Sequence, residues 1–233
     1  MIDIHSHVLP GVDDGSRNLE ESLEILRGLE EQGITELICT PHFIAETKQC
    51  NPCNKNEKIL DELKQAADDA NIKIKLHLGN EIYIDKEIPK YLRTKKMSPL
   101  GNKYLLVELP MSGKYPQYRD ILIDLQDKGW KVILAHPERY HSFQNKYELI
   151  DEITKLGILL QCNIGSINKQ YGKEAKKTIV KLAKDHKIFC FGTDIHHPAQ
   201  LACYKNATKK LRKYYTEREL NTLLVENPNK IVK

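Results

Sequence analysis

Two histidines, His5 and His7, stand close to the amino terminus in the segment IDIHSH. In a β-strand alternate side chains point to the same face, so the two imidazoles would project together and could chelate one metal ion. Two imidazoles leave the coordination of a metal incomplete, so further ligands must come from elsewhere in the chain. The spacing therefore predicts that the first strand carries one part of a metal site.

Candidate ligands recur at the ends of apolar runs farther along the chain. They are His42 in ICTPH, Glu81 in LGNEI, Glu108 in LLVELP, His136 in VILAHPER, and Asp194 with His196 in FCFGTDIHH. A carboxylate buried without a partner is costly, so Glu108 in an apolar run implies a nearby cation. Each residue alone is weak evidence, because a lone histidine is more often a surface or core residue. Their recurrence at the ends of runs predicts a metal centre.

The runs that precede these residues predict strands that alternate with helices. Asn18, with Glu21 three residues later, predicts the start of a helix that ends near Gly33. Further strands are predicted at residues 34–40, 72–78, 104–109, 131–135, 158–164 and 188–191, and further helices at 57–70, 118–128, 147–156 and 173–186. The carboxyl-terminal region is predicted to be helical, with Asn227 and Pro228 breaking the last helix.

Seven strands that alternate with helices favour parallel pairing with the helices packed outside. We therefore expect one α/β domain over residues 1–233, with a closed or nearly closed barrel. In such barrels the loops after the strands form the active face, and every candidate ligand falls at or just past a strand's carboxyl end. The sixth strand carries no ligand, although Gln161 and Asn163 could make supporting contacts there.

Composition and charge exclude several classes of protein. The chain has 36 Lys and Arg against 32 Asp and Glu, a formal net charge of +4. The basic residues are spread along the chain rather than gathered into one block, which argues against a nucleic-acid-binding arm. No run approaches the ~20 apolar residues of a membrane helix, and residues 1–30 lack the pattern of a secretory signal. We expect a cytoplasmic protein without membrane insertion.

The six cysteines indicate neither a disulfide framework nor a thiol enzyme. Cys39, Cys162 and Cys190 lie in apolar runs and are expected to be reduced and buried. Cys50 and Cys53 form a CxxC in the polar loop NPCNKN, but no second CxxC accompanies it to complete a zinc knuckle. No cysteine is followed six residues later by an arginine, as a cysteine-based phosphatase would require.

The motifs resemble those of the polymerase and histidinol phosphatase (PHP) superfamily, and within it the bacterial manganese-dependent protein-tyrosine phosphatases of capsule and exopolysaccharide loci. The segments that carry the resemblance are IDIHSH, VDDGS, CTPHF, GNEIYI, LAHPERY, GTDIHH and ENPNKIV, which together span nearly the whole chain. The resemblance implies a distorted seven-stranded barrel that holds up to three metal ions.

The resemblance also implies roles for individual residues. It assigns His5, His7, Glu81 and Asp194 to one ion, Glu81, Glu108 and His136 to a second, and Asp14, His42 and His196 to a third. Arg139, three residues after His136, matches the phosphate-binding arginine of the family. Family members commonly carry another arginine several residues after the DxH motif, whereas this chain reads HPAQL after His196. Arg139 is therefore expected to bind phosphate without a second arginine.

Ligands of this kind suit phosphoryl transfer. Imidazole and carboxylate without thiolate favour Mn²⁺, with iron or zinc also possible, and an array of ions can generate a bridging hydroxide that attacks phosphorus. Arg139 would stabilise charge on the equatorial oxygens. The phenol of tyrosine has a pKa of ~10, so the leaving group needs little protonation, and either His196 or a metal-bound water could supply the proton.

The resemblance implies a phosphotyrosine protein as substrate, with the tyrosine-rich tail of a polysaccharide-export kinase as the expected partner. A small-molecule phosphatase acting on histidinol phosphate is an alternative with the same chemistry. A metal-binding accessory domain without turnover is an alternative from another class. The oligomeric state stays open.

Overall fold

The computed structural model describes residues 1–49, 53–91, 94, 96–111 and 115–233. Its strands are β1 (Ile2–Ser6), β2 (Glu36–Cys39), β3 (His42–Phe43), β4 (Lys75–Leu78), β5 (Glu81–Tyr83), β6 (Tyr104–Glu108), β7 (Lys131–Ala135), β8 (Leu159–Asn163) and β9 (Cys190–Gly192). Its α-helices are α1 (Leu19–Glu31), α2 (Cys53–Asp69), α3 (Ile88–Tyr91), α4 (Arg119–Asp127), α5 (His141–Asn145), α6 (Glu148–Lys155), α7 (Gly172–Lys184), α8 (Leu201–Tyr204), α9 (Ala207–Leu211), α10 (Glu217–Asn221) and α11 (Asn227–Val232). Cys50 of the CxxC lies outside the described residues.

All strand pairs are parallel, as the alternation of strands and helices predicted. The strands form a three-stranded sheet of order β1-β2-β4 and a six-stranded sheet of order β3-β5-β6-β7-β8-β9. The segment after β9 reaches back to β1, where His7 N donates to Ile195 O at 2.9 Å and Asp194 N donates to His5 O at 2.8 Å. This contact brings the first candidate ligands of the chain, His5 and His7, next to the last ones, Asp194 and His196.

The seven expected strands are nine shorter ones in the described part of the chain. Thr40 and Pro41 separate β2 from β3, and proline cannot donate to a strand ladder. Gly79 and Asn80 separate β4 from β5, and Gly79 N still donates to Cys39 O at 2.9 Å. After each interruption the chain enters the second sheet, where His42 pairs with Glu81. The interruptions therefore place two candidate ligands side by side.

The first helix begins as its sequence predicts. Asn18 is its N-cap, with the side-chain oxygen accepting from Glu21 N at 2.9 Å. The chain leaves the helix through Gly33, whose φ of +87° is in the left-handed region that glycine adopts without strain. Helix α1 buries Ile25, Leu26 and Leu29 in the main hydrophobic core, which also contains Leu37 and Cys39 of β2.

Most strands are buried on both faces, as expected for parallel sheets covered by helices, whereas β4 is partly exposed. All five residues of β6 are buried, and so is every residue of β7 after Lys131. Cys39, Cys162 and Cys190 are buried and free, which confirms the prediction of reduced core cysteines. Burial raises the pKa of Cys39 to about 12, so this thiol is not an activated nucleophile.

The predicted break at Asn227 and Pro228 is wrong. Helix α10, a π-helical turn over Thr222–Glu226 and α11 follow one another without interruption, and Pro228 lies in the first turn of α11. A proline lacks an N–H and clashes with the carbonyl four residues earlier. The wider π turn accommodates both effects and lets the helix continue. Among the described helices, none has both the length and the apolar character needed to cross a bilayer.

Candidate metal centre

The nine predicted ligands meet at the carboxyl ends of the strands. They are His5 on β1, His7 and Asp14 in the segment after β1, His42 on β3, Glu81 on β5, Glu108 on β6, His136 after β7, and Asp194 and His196 after β9. Most of them are buried, whereas the side chain of Asp14 is 64% exposed. The ligand atoms of eight of them, all except His136, fall into three overlapping groups, in each of which all atoms lie within 4.8 Å of one another.

The first group contains His5, His7, Glu81 and Asp194. His5 Nε2 lies 3.3 Å from His7 Nε2, 3.3 Å from Glu81 Oε1 and 3.5 Å from Asp194 Oδ1. Ligand atoms held ~2.1 Å from an ion in a tetrahedral arrangement are ~3.4 Å apart. The four side chains therefore already have the mutual spacing of a coordination sphere, in the set that the resemblance implied.

The second group joins Glu81 and Glu108 with His42. His42 Nδ1 lies 3.1 Å from Glu81 Oε2, yet both atoms are buried and neither has a hydrogen bond. Two buried polar atoms that face each other without a hydrogen bond are costly unless a third group satisfies both. His136, the expected ligand here, lies beside the group, with Nε2 2.9 Å from Glu81 Oε1 and 3.6 Å from Glu108 Oε1.

The third group contains the expected Asp14, His42 and His196, together with His7. Asp14 Oδ1 lies 3.3 Å from His42 Nε2 and 3.7 Å from His196 Nε2. The rings of His7 and His196 stack with their centroids 4.0 Å apart. Three residues, His7, His42 and Glu81, thus belong to two groups each, and the groups form one continuous centre.

The electrostatics of the centre favour cations. Burial, followed by the Glu81 carboxylate, raises the pKa of Glu108 to about 8, so a second negative charge is unfavourable unless a cation is present. Burial, followed by Arg139, lowers the pKa of His136 to about 4 and keeps its imidazole neutral, the form that binds metal. Burial opposes ionisation of Glu81, but the imidazoles of His5 and His42 hold its pKa well below the usual range. Orphaned ligand atoms, coordination spacing and donor chemistry all fit metal ions.

A second layer of contacts orients the imidazoles. His7 Nδ1 lies 2.8 Å from Asp13 Oδ2, and His5 Nδ1 lies 2.8 Å from Gln161 Oε1. A proton on Nδ1 satisfies each contact and leaves the Nε2 lone pair facing the centre. Gln161 occupies the supporting position expected for it. Asp13 was not predicted, although it adjoins Asp14, because the sequence does not show which carboxylate of a pair turns inward.

One oxygen of Asp194 is occupied by the protein itself. Its Oδ2 accepts from Arg139 Nη1 at 2.7 Å, from Asn163 Nδ2 at 2.7 Å and from Tyr171 OH at 3.1 Å. The other oxygen, Oδ1, faces His5 and His7. Asp194 also has a φ of +53°, a strained backbone conformation for a residue other than glycine. The contacts to Oδ2 hold Asp194 in this conformation and leave Oδ1 as the oxygen that could serve as a metal ligand.

Arg139 stands at the wall of a cleft over this centre. Its guanidinium carbon lies 4.2 Å from the centroid of the Tyr171 ring, and its side chain is 24% exposed. In the described part of the chain, the contact with Asp194 is the one hydrogen bond of the guanidinium. The cleft has a volume of about 570 Å³, and Arg139, Tyr171, His42 and Asp194 all line it. The remaining donors of Arg139 are therefore available to an anion in the cleft.

The segment HPERY after β7 joins three loops of the centre. Glu138 is buried, and its Oε1 accepts from Asn163 N at 2.9 Å and from Ser166 Oγ at 2.8 Å, which ties this loop to the loop after β8. The Tyr140 hydroxyl accepts from Leu109 N at 3.0 Å and ties it to the loop after β6. The sequence showed His136 and Arg139 but gave no sign that the residues beside them are anchors.

Comparison with known proteins agrees with this geometry. The family model for "Capsular polysaccharide synthesis, CpsB/CapC" matches residues 1–233. The chain belongs to the CpsB/CapC family. The tyrosine-protein phosphatase YwqE of Bacillus subtilis (strain 168) is 34% identical over 206 residues, with 84% of this chain and 78% of the relative covered. The tyrosine-protein phosphatase CpsB of Streptococcus agalactiae serotype III is 29% identical over 246 residues, with 100% and 98% covered.

Solved structures place this CpsB/CapC chain beside the same relatives. A crystal structure from work on YwqE of Bacillus subtilis and CpsB of Streptococcus pneumoniae, described as unique metal-dependent tyrosine phosphatases, matches with a TM-score of 0.91 at 28% identity and covers 100% of this chain and 94% of the other. Histidinol phosphate phosphatase of Lactococcus lactis matches with a TM-score of 0.55 at 15% identity, covering 91% and 94%. The second likeness concerns the fold alone.

Proposed function

We propose that the protein is a metal-dependent tyrosine-protein phosphatase that acts on a phosphotyrosine protein of capsule or exopolysaccharide synthesis. The observation that carries the proposal is the continuous centre of three overlapping ligand groups, with Glu81 shared by two of them, under a cleft that also presents Arg139. The names and the close structural match of the relatives support the same activity. We take residues 1–233 as one domain of this activity, with the two sheets forming a distorted barrel.

The nine ligands would hold up to three ions, with Mn²⁺ as the proposed metal because every donor is imidazole or carboxylate. When bound, such ions attract a phosphoryl oxygen and lower the pKa of a bound water. Glu81 and Glu108 would supply negative charge that offsets the ions, with Glu108 ionising when they bind. His5 and His7, oriented by Gln161 and Asp13, offer neutral nitrogen ligands.

Arg139 would bind the phosphoryl group through the donors that Asp194 does not use. Its stacking on Tyr171 fixes the plane of the guanidinium before the substrate arrives, which reduces the reorganisation needed in the transition state. The segment after His196 carries no arginine, so Arg139 has this role alone on that side of the cleft.

Two roles are proposed for His196, metal ligand and proton donor to the leaving group. Its Nε2 cannot fill both, because a nitrogen that binds metal cannot carry a proton. Nδ1 lies 3.0 Å from Asp194 O, and Nε2 faces Asp14. This arrangement favours His196 as a ligand. Release of a phenolate, with a parent pKa of ~10, does not depend on a strong general acid.

The kinase tail of a polysaccharide-export system remains the proposed partner. Histidinol phosphate is not favoured, because the likeness to its phosphatase is confined to the fold. A non-catalytic accessory domain is not favoured either, since a structural metal site is closed, whereas this centre lies open to a cleft.

The experiment compares a phosphotyrosine peptide, a phosphoserine peptide and histidinol phosphate at equal enzyme and metal. We expect the phosphotyrosine peptide to be hydrolysed with a kcat/KM well above the other two, activity to vanish with a chelator, and Mn²⁺ to restore it best. Turnover that survives complete metal removal, or a preference for histidinol phosphate, would contradict the proposal.

A further inference from the structure

The even spread of basic residues that the overall composition suggested does not hold for residues 169–213. This segment contains twelve Lys and Arg but only three Asp and Glu, although the whole chain is nearly balanced at 36 against 32. The segment includes α7 and α9 and also Asp194 of the metal centre. Positive charge is therefore concentrated in the residues that precede and follow Asp194 of the metal centre.

Three lysines of this segment are linked to the cleft wall through Tyr171 and the turn that precedes it. A 3-10 turn over Ile164–Asn168 follows β8 at the face that carries the ligands, and Lys169 comes directly after it. Two residues on, Tyr171 lines the cleft, and Lys173 is in the first turn of α7. From the other side, the Lys210 ammonium on α9 donates to Asn168 Oδ1. We name Lys169, Lys173 and Lys210 the basic rim.

The charges of the basic rim are not neutralised by the protein. All three side chains are exposed, and none has a carboxylate at ion-pair distance among the described residues. Glu174, which adjoins Lys173, lies 3.4 Å from Lys177. Helices α7 and α9 both pack on the 3-10 turn that carries Asn168, so the rim has a fixed base from which its flexible side chains extend.

We propose that the basic rim binds acidic residues that flank the phosphotyrosine of the protein substrate. The proposal rests on the phosphatase function proposed above and names the chemistry of its substrate. A phosphotyrosine bound at Arg139 would place the chain on one side of it beside Tyr171, two residues from both Lys169 and Lys173. Each exposed ammonium group of the rim would contribute a modest binding free energy when it pairs with a substrate carboxylate. The positive charge would also increase the rate at which an acidic chain associates with the site.

The test uses two phosphotyrosine peptides of the same length, one with Asp and Glu around the phosphotyrosine and one with Asn and Gln in their place. A small aryl phosphate, which cannot reach the rim, serves as a third substrate. The rim variant carries Lys169→Gln, Lys173→Gln and Lys210→Gln. A control variant carries Lys58→Gln, Lys73→Gln and Lys75→Gln, which remove the same charge from exposed lysines on α2 and near the amino end of β4.

We expect the parent to hydrolyse the acidic peptide with a kcat/KM about tenfold above the neutral peptide at low salt, consistent with three exposed ion pairs. The rim variant should lose most of this preference and retain turnover of the aryl phosphate, and the control variant should keep the preference. Raising the ionic strength from about 0.05 M to 0.5 M should reduce the parent's preference, because exposed charges are screened.

Equal preference in the parent and the rim variant, or none in the parent, would overturn the proposal. Loss of binding to anionic lipid vesicles in the rim variant with an unchanged peptide preference would also overturn it and assign the rim to a membrane surface. Hydrolysis of the neutral peptide tests the phosphatase function separately, so failure of that function would be recognised by the loss of both peptide activities.

Discussion

Replacement of Arg139 tests the proposed phosphate-binding role most directly. Its Nη1 is committed to Asp194 Oδ2 at 2.7 Å, and its plane is stacked on Tyr171. The unused donors of the guanidinium are held toward the cleft by these two contacts. Arg139→Ala removes a preorganised donor from the phosphoryl group without removing a proposed metal ligand.

The structure sets the expected magnitude. Loss of one preorganised donor lowers turnover by about 10²- to 10³-fold, or roughly 3 to 4 kcal/mol. Metal content should change little, because Asp194 Oδ2 keeps its hydrogen bonds from Asn163 and Tyr171. We therefore expect Arg139→Ala to lose about a hundredfold in kcat/KM with its ions retained. Arg139→Lys should remain impaired by about tenfold or more, because one ammonium cannot satisfy Asp194 and also offer a fork of donors.

The assay combines steady-state kinetics on a phosphotyrosine peptide with measurement of bound metal in the parent and both variants. A fall of less than about threefold with full metal content would refute the role of Arg139, since a tenfold change corresponds to ~1.4 kcal/mol. A loss of activity that follows a loss of metal would also refute it, because Arg139 would then act only through Asp194.

Four further predictions follow from named contacts. Tyr171→Leu should have a kcat/KM about three- to thirtyfold below that of Tyr171→Phe, which keeps the stacked ring and loses only the hydroxyl on Asp194, and this difference should be absent in the Arg139→Ala background, as a double-mutant cycle would show. Glu81→Ala should lose at least two equivalents of metal by elemental analysis, since Glu81 belongs to two ligand groups. Asp13→Asn should weaken metal binding about 10- to 100-fold in a chelator competition, with aryl phosphate turnover restored by excess metal. Glu138→Ala should lower the free energy of unfolding by about 2 kcal/mol or more, because two buried donors lose their acceptor, whereas thermal melting of Glu138→Gln should resemble that of the parent.

The chemistry of the centre could be predicted from the sequence because metal ligation depends on residue type and local spacing. His5 on β1 and His7, just past the end of β1, present their Nε2 atoms to one centre, as the two-residue repeat of a strand predicts, and that repeat is a local property. Asn18 caps its helix for an equally local reason. The alternation of apolar runs with helices likewise indicated parallel strands, which the structure confirms.

The arrangement of the ligands into groups is decided by tertiary structure. The breaks after β2 and β4 set His42 beside Glu81, so that His42 approaches Glu108 as well as Asp14. No spacing in the sequence shows this, because the contact joins separate strands. The continuation of the last helix through Pro228 depends in the same way on a π turn that sequence propensity does not reveal.

Gln161 and Asn163 were expected to support the centre, but other supporting residues could not be predicted, because their importance comes from what they touch. Asp13, Glu138 and Tyr171 have no distinctive spacing, and each contacts a residue that is distant in the chain or on another loop. The basic rim unites lysines from both sides of the segment that contains β9. The residue types in the sequence determined which chemistry this protein could perform. The packing of loops at one end of the sheets determined which ligand atoms lie together in one centre. The reason is that ligand geometry depends on distances between strands, and the order of residues in the chain does not specify those distances.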